Sequence, residues 1–310
     1  MNEKPVETDK TQLQETTNPR RPVEHSTNEN EQTVKPVEIP NETETKPIVK
    51  QKLHRKPSVK RKCVTPKVNC PEKIILCIDH SAIMFTNKFK RTVQSMKQQA
   101  VFQVLTGAVR NFIKTKSFID SRHQFALVLL NQTPQLIVDF QPSGQDVMFM
   151  LKDIGTQFNE SEMVEVDDEV FNLSTLFDQV ENMVNLPSVK HPDKPGPPPY
   201  VVRMIFVFGR SSSALKFCEN DESFQKLNSN PYFFCDCVYI HEEPNDGNCV
   251  TDNFMQVCEL DKNGTSFIYE VGTDGSMSSL YNAFANLLAH PLQRQRDINV
   301  NNHDILLSPE

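Results

Sequence analysis

The sequence predicts a single α/β domain, an open and mostly parallel sheet with helices on both faces, preceded by a disordered N-terminal tail. Three observations lead there. Short runs at 73–79, 125–130 and 200–208 are apolar without alternation, as strands buried on both faces are. Between the runs, apolar residues recur at spacings of three and four, which places them on one face of a helix. No Phe, Tyr or Trp precedes Phe85, although the chain holds 20 Phe and 5 Tyr. A stretch so poor in large apolar groups cannot offset a chain entropy of roughly 1–2 kcal/mol per residue. Residues 1–66 are therefore read as the tail, 69–290 as the domain, and 291–310 as a C-terminal peptide and tail.

The elements come in this order. The first strand, 73–79, ends in an acid, Asp79. A long helical pattern then runs through Phe89, Val93, Met96, Ala100, Val104, Ala108, Phe112 and Ile113. Residues 125–130 form a second strand, with 136–140 as a third beside it. A short helix is expected at 146–153 and an acidic loop at 160–169. Leu173, Leu176, Phe177, Val180, Met183 and Val184 return to helical spacing, and the Pro-rich stretch 194–199 breaks it. Strands are expected next at 200–208 and 233–240, then a helix at 254–260 and a last strand at 266–271. The final helix carries Met277, Leu280, Tyr281, Phe284, Leu287 and Leu288, and Pro291 ends it. Alternating strands and helices of this kind build a doubly covered parallel sheet.

Composition excludes several classes. No run of about 18 apolar residues exists to span a membrane, and the N-terminus lacks the apolar stretch of a signal peptide. The eight Cys are then expected as free thiols in a reducing compartment, and none forms a C-x-x-C pair. The net charge of −7 is unevenly divided: residues 1–66 hold 13 basic and 10 acidic side chains, the remainder 20 and 30. An acidic body is a poor ligand for phosphates, so direct nucleic-acid binding by the domain is not expected. The nine basic residues from Lys46 to Lys67 have no acid among them. They read equally as a nuclear-import signal or as a solvated basic linker.

In open α/β sheets chemistry gathers at the carboxyl ends of the strands. There the first strand delivers Asp79-His80-Ser81-Ala82-Ile83, which resembles the metal-ion-dependent adhesion loop of von Willebrand factor A domains, Asp-x-Ser-x-Ser. Asp79 and Ser81 match, but Ile83 stands where the second serine oxygen would hold Mg²⁺. A later strand edge reads Gly209-Arg210, and a guanidinium there opposes a divalent cation. The site is read as degenerate, with no metal and no cofactor expected. Enzyme templates are missing: there is no G-x-G-x-x-G, Walker A loop or H-E-x-x-H, and Gly209-Arg-Ser-Ser-Ser213 lacks the closing Gly of a nucleophile elbow. His80 and His241 fall at strand ends as solvated or capping residues. Cys235 and Cys237 share a strand face and are expected to be buried. Pro197-Pro-Pro-Tyr200 matches the pattern read by WW domains, but it leads directly into a strand, which favours a structural role. Pro291, Leu292, Gln293 and Arg294 come after the last helix as an extended, exposed peptide that a partner would read.

Four stretches together resemble one family: 65–79, 197–203, 231–241 and 287–294. They are similar to the von Willebrand A-like scaffold subunit of the BRISC deubiquitinase, which in vertebrates also serves the nuclear A complex of the breast cancer type 1 susceptibility protein. The resemblance runs from about Thr65 to Arg294 and leaves the tail out. It implies a non-catalytic subunit in an assembly whose hydrolysis of chains joined through the sixty-third lysine of ubiquitin is done by a JAMM-type zinc protease, carried with its pseudo-enzyme scaffold. It further implies direct binding to a ubiquitin-conjugating-enzyme-like subunit, with Pro291, Leu292, Gln293 and Arg294 as the docking element. Nuclear and cytoplasmic residence, roles in the DNA damage response and mitosis, and no membrane or nucleic-acid partner are implied by the same likeness. The runner-up reading is a metal-dependent, adhesion-type ligand binder.

Overall fold

The computed structural model describes residues 66–90, 98–158, 170–191, 195–261 and 264–294. The tail, the basic segment below residue 66 and the whole acidic loop expected at 160–169 lie outside these residues.

Strand β1, Glu72–Asp79, is central. It pairs in parallel with β2, Gln124–Leu130, on one side and with β5, Val201–Phe208, on the other. The sheet continues from β5 to β7, Phe233–His241, and then to β8, Ile268–Gly272, again in parallel. Strand β3, Pro134–Pro142, closes the other edge and is antiparallel to β2. Too few residues separate β2 from β3 for a crossover, which needs a dozen or more, so the connection can only be a hairpin. The order is β3-β2-β1-β5-β7-β8, with a small parallel pair, β4 (Phe171–Asn172) and β6 (Leu215–Lys216), beside it. This is the open, mostly parallel sheet with helices on both faces that the sequence predicts.

Alternation along the strands makes two cores. Ile74, Leu76 and Ile78 of β1 face helices α2 (Val101–Ile119), α3 (Gln145–Gln157) and α7 (Met277–Asn286). Ile75 and Cys77 face α4 (Leu173–Met183), α5 (Glu222–Ser229) and α6 (Val250–Cys258). All eight residues of β5 are buried, as a central strand covered on both faces requires. At the start of α3, Gly144 has φ +63, and a Cβ there would lie 2.6 Å from the Ile113 side chain, so only glycine fits. Among the described residues no helix is long and apolar enough to cross a membrane.

The long helix expected from Phe89 is corrected. A short helix α1, Ala82–Thr86, is succeeded by an extended segment in which Lys88 bridges Ala100, and α2 starts only at Val101. Phe89 is buried in the α2 core, but from the loop. Its spacing matched a helix because both loop and helix pack on the same sheet face. Val93 and Met96 lie outside the described residues. Helix α3 extends beyond the expected 146–153, and α5 was not expected at all.

Three charged side chains, Glu72, Arg203 and Asp236, are fully buried inside β1, β5 and β7. They point to the α2 and α7 face at its lower end and form a row of alternating sign. Lys116 of α2 pairs with Glu72. Arg203 Nη1 donates to Glu72 Oε2 at 3.2 Å, and Arg203 Nε donates to Asp236 Oδ2 at 2.6 Å. Arg294 closes the far end on Asp236, at 2.6 and 2.7 Å. Arg203 also donates to the Leu287 carbonyl at the end of α7, at 2.6 Å. Desolvation alone would raise both carboxyls. Arg203 and Lys116 nevertheless hold Glu72 below its ordinary 4.5, and Arg294 and Arg203 hold Asp236 at about 2.

These shifts fix the sign of the pH dependence. The carboxylates' contribution is present above their ordinary values of 4.5 and 3.8 and is lost as pH falls through their lower folded values, about 2 for Asp236. His123 and His290, kept below their ordinary 6.5 mainly by burial, lose stability in the same direction, starting below pH 6.5. Asp236→Asn leaves Arg203 and Arg294 without their shared acceptor. Urea unfolding at pH 7 is expected to show a loss of about 3–5 kcal/mol, with a shallower decline between pH 4 and pH 2 than in the wild type.

Candidate functional site

The strand order reverses across β1, whose neighbours β2 and β5 lead to opposite edges, and this opens the crevice where such sheets place their ligands. Asp79 sits at its mouth, fully buried. Its carboxylate already accepts three hydrogen bonds. Oδ1 accepts from the Ser81 amide and from Arg210 Nε, each at 3.1 Å, and Oδ2 accepts from the Gly209 amide at 2.9 Å. Arg210 Nη2 donates to the carbonyls of Leu130 and Asn131 at 2.8 and 2.7 Å, and the guanidinium lies 4.8 Å from the Phe171 ring centre. One side chain, 4 % exposed, thus joins the ends of β1, β2 and β5.

Local sequence forces this arrangement. A Cβ at residue 209 would fall 2.0 Å from Met84 Sδ, so any larger residue where β5 turns past the Asp79 loop would displace the buried Met84 side chain. Asn253 of α6 fixes the turn from beneath, donating to the carbonyls of Arg210 and Ser213 at 3.2 and 2.9 Å and accepting from the Leu215 amide at 2.7 Å. Tyr239 Oη also donates to the Arg210 carbonyl, at 3.2 Å. Ser81 Oγ is buried with no hydrogen-bond partner, and Ile83 packs against the core. A hard divalent ion needs several oxygens free to turn toward it. Here one carboxylate is held by a cation and two amides, and the second serine position is apolar, so these residues do not fit the ion.

The other candidates at this edge have structural partners. Ser211 is fully buried and its Oγ accepts from the Glu242 amide at 3.0 Å, so it is not presented as a nucleophile. His80 Nδ1 lies 2.8 Å from Asn131 Oδ1, and its ring meets Phe85 edge-on at 5.3 Å. His241 Nδ1 is 2.6 Å from the Glu242 carbonyl. Its Nε2 lies 3.2 Å from Glu270 Oε1. Burial alone would lower His241, yet Glu270 and the Glu242 carbonyl raise it above its ordinary 6.5. Cys235 and Cys237 are buried in the sheet, and burial pushes both thiols up. Tyr200 is tied down as expected, with Oη donating to the Asn185 carbonyl at 2.7 Å and Lys73 4.5 Å above its ring.

Pro291, Leu292, Gln293 and Arg294 lie at the opposite end of β1, about 23 Å away by strand rise. The expectation of an extended, exposed peptide is corrected. Pro291–Gln293 is a 3-10 turn whose cap, His290, accepts from the Leu292 amide at 3.2 Å and lies 3.0 Å from the Cys70 carbonyl. Leu292 is buried among Cys70, Val201, Tyr232 and Phe234. Arg294 forks onto Asp236, donates to the Thr265 carbonyl at 3.2 Å and stacks 3.9 Å from the Phe267 ring centre. Of the four, only Gln293 is exposed. Proline stops α7, but the buried Asp236 and the apolar pocket draw the residues after it inward.

No protein-family model matches the chain. It is 34% identical over 241 residues to "BRISC and BRCA1-A complex member 1" of Danio rerio, covering 77% of this chain and 62% of that protein. The chain therefore spans less than two thirds of the length of that relative. The protein of the same name from Xenopus laevis is 37% identical, with 77% and 69% covered, and that from Homo sapiens is 36% identical, with 74% and 67% covered. Solved structures that align with the chain include the SpRpn10 VWA domain (9% identity, 73% of this chain and 99% of that one, TM-score 0.43). A von Willebrand factor type A structure from Catenulispora acidiphila aligns at 12% identity, 73% and 43% coverage and TM-score 0.40. By identity and coverage with these relatives, the chain belongs to the BRISC and BRCA1-A complex member 1 family.

Proposed function

We propose that this protein is a non-catalytic scaffold subunit of a deubiquitinase assembly that cleaves chains joined through the sixty-third lysine of ubiquitin, serving the DNA damage response and mitosis. The observation that carries the reading is the buried Asp79–Arg210 pair: the strand-end position at which a metal would hold a ligand is taken by the protein's own guanidinium. A domain whose crevice is sealed in this way has its outer surfaces left to offer, which is what a subunit that holds others requires. Family membership supplies the kind of assembly.

In this reading the direct partner is a ubiquitin-conjugating-enzyme-like subunit, and the JAMM-type zinc protease with its pseudo-enzyme scaffold belongs to the same complex. Residues 291–310 and the lower edge of the sheet are the docking region. In the same reading the protein is shared between nucleus and cytoplasm, and the segment from Lys46 to Lys67 is either a nuclear-import signal or a solvated basic linker. For the metal-dependent adhesion reading the unpartnered Ser81 hydroxyl speaks in favour, and the Asp79–Arg210 pair and the apolar Ile83 speak against.

If the Arg210 cation is what Asp79 depends on, Arg210→Met keeps most of the volume and leaves a buried carboxylate unpaired. A stability loss of about 3–5 kcal/mol in urea denaturation is expected, with Arg210→Lys between the variant and the wild type. Reconstitution tests the scaffold role itself. The full chain should co-elute with the ubiquitin-conjugating-enzyme-like subunit and raise the thermal stability of the complex, while the chain alone leaves ubiquitin chains intact. Turnover by the chain alone, or failure to co-elute, contradicts the proposal.

A further inference from the structure

Both ring nitrogens of His241, the last residue of β7, face groups that can only accept. Nδ1 lies 2.6 Å from the Glu242 carbonyl, and Nε2 lies 3.2 Å from the Glu270 carboxylate of β8. A neutral imidazole carries one N–H, so it would satisfy one of these and turn a lone pair toward the other. The imidazolium serves both. The ring is buried, and beside it stand Asp274, in the turn after β8, and the Tyr239 ring of its own strand, centred 5.1 Å away. A Cβ on Gly272 would strike Asp274 Oδ1 and come within 3.9 Å of the His241 ring, so the bare glycine lets this second carboxylate close in. Burial opposes the charge, but Glu270, the Glu242 carbonyl and Asp274 outweigh it and raise His241 above its ordinary 6.5.

Two residues fastened to His241 also tether a distant part of the chain. Glu242, whose carbonyl the ring holds, accepts from Asn87 Nδ2 at 2.9 Å. Thr273, whose amide donates to the His241 carbonyl at 2.8 Å, accepts from the Lys90 amide at 2.9 Å. The segment 87–90 is thus a strap tied to the upper ends of β7 and β8, with Phe89 buried between the two ties. We propose that His241 is a proton-operated latch for this strap: the cationic ring fixes Glu242 and Thr273 where they hold Asn87 and Lys90, and loss of its proton frees the strap and uncovers Phe89. The folded-state value lies above 6.5, so the hold is complete below pH 6.5 and is lost as pH rises through that folded value. This is opposite in sign to the buried carboxylates and to His123 and His290, which separates the latch from acid unfolding of the domain.

Amide hydrogen exchange of the full chain, corrected for the intrinsic rate at each pH, tests the latch. Protection at residues 87–90 is expected to be about three- to tenfold lower at pH 9 than at pH 6, while α2 and β5 keep theirs. His241→Gln keeps a donor but cannot become charged, so its strap should be poorly protected at both values. Glu270→Gln removes the carboxylate facing Nε2, and the loss of protection should then move to lower pH. This position is partly exposed, and it carries the comparison if His241→Gln does not fold. Wild-type protection at 87–90 that is the same at pH 6 and pH 9 overturns the proposal. So does a pH response that persists in folded His241→Gln, or one that Glu270→Gln leaves where it was, because the proton is then held elsewhere.

Discussion

A charge taken out of water must meet an opposite charge, and this domain answers that constraint at both ends of its sheet. At the upper end Arg210 meets Asp79, and at the lower end three cations and two carboxylates alternate across β1, β5 and β7. Neither arrangement is the cheapest way to make a stable core. Replacing a buried ion pair with packed apolar groups is often neutral or stabilising, whereas removing one member strands the other at a cost of several kcal/mol. What these pairs do impose is connectivity. Arg210 ties three strand ends together, and the lower row joins three strands to α2, to the end of α7 and to the C-terminal turn.

The two ends divide the labour of the molecule. In a domain that binds ligand through a metal, the first strand's aspartate must stay available to an ion that enters and leaves. Here the cation is covalently part of the chain, 4 % exposed, and locked by Asn253 and Tyr239 through its own carbonyl. An ion-gated response is thereby exchanged for a fixed crevice. The lower end clamps the turn after α7 against the body of the domain, so residues 291–294 are as much part of the core as the strands are.

Much of this was legible in the sequence. The strands of the parallel sheet announced themselves because burial on both faces leaves no alternation, and Asp79, Ile83 and Arg210 already marked a damaged metal loop. The charge row was visible in principle, since Arg203 interrupts an otherwise apolar run and Asp236 stands among Phe, Cys and Val. Which partners they find is a matter of tertiary register, and local spacing does not encode it. The same limit explains Arg294: a basic residue after a helix-stopping proline looks free until a buried acid is known to lie beneath it. Phe89 misled for a related reason, because a loop residue packed on the helical face of the sheet mimics helical spacing. Helix α5 was missed although its signals were present: Asp221 caps it by accepting from the Phe224 amide at 2.8 Å, and Phe224 and Leu227 bury one turn apart.

The central claim is that a built-in guanidinium stands where a divalent ion would bind, and the proposed role of holding other subunits rests on it. Titration of Mg²⁺ and Mn²⁺ into the full-length chain by isothermal calorimetry tests it most directly. The account predicts no saturable heat with either ion. Stoichiometric binding that disappears in Asp79→Asn would contradict it and would restore the adhesion-type reading.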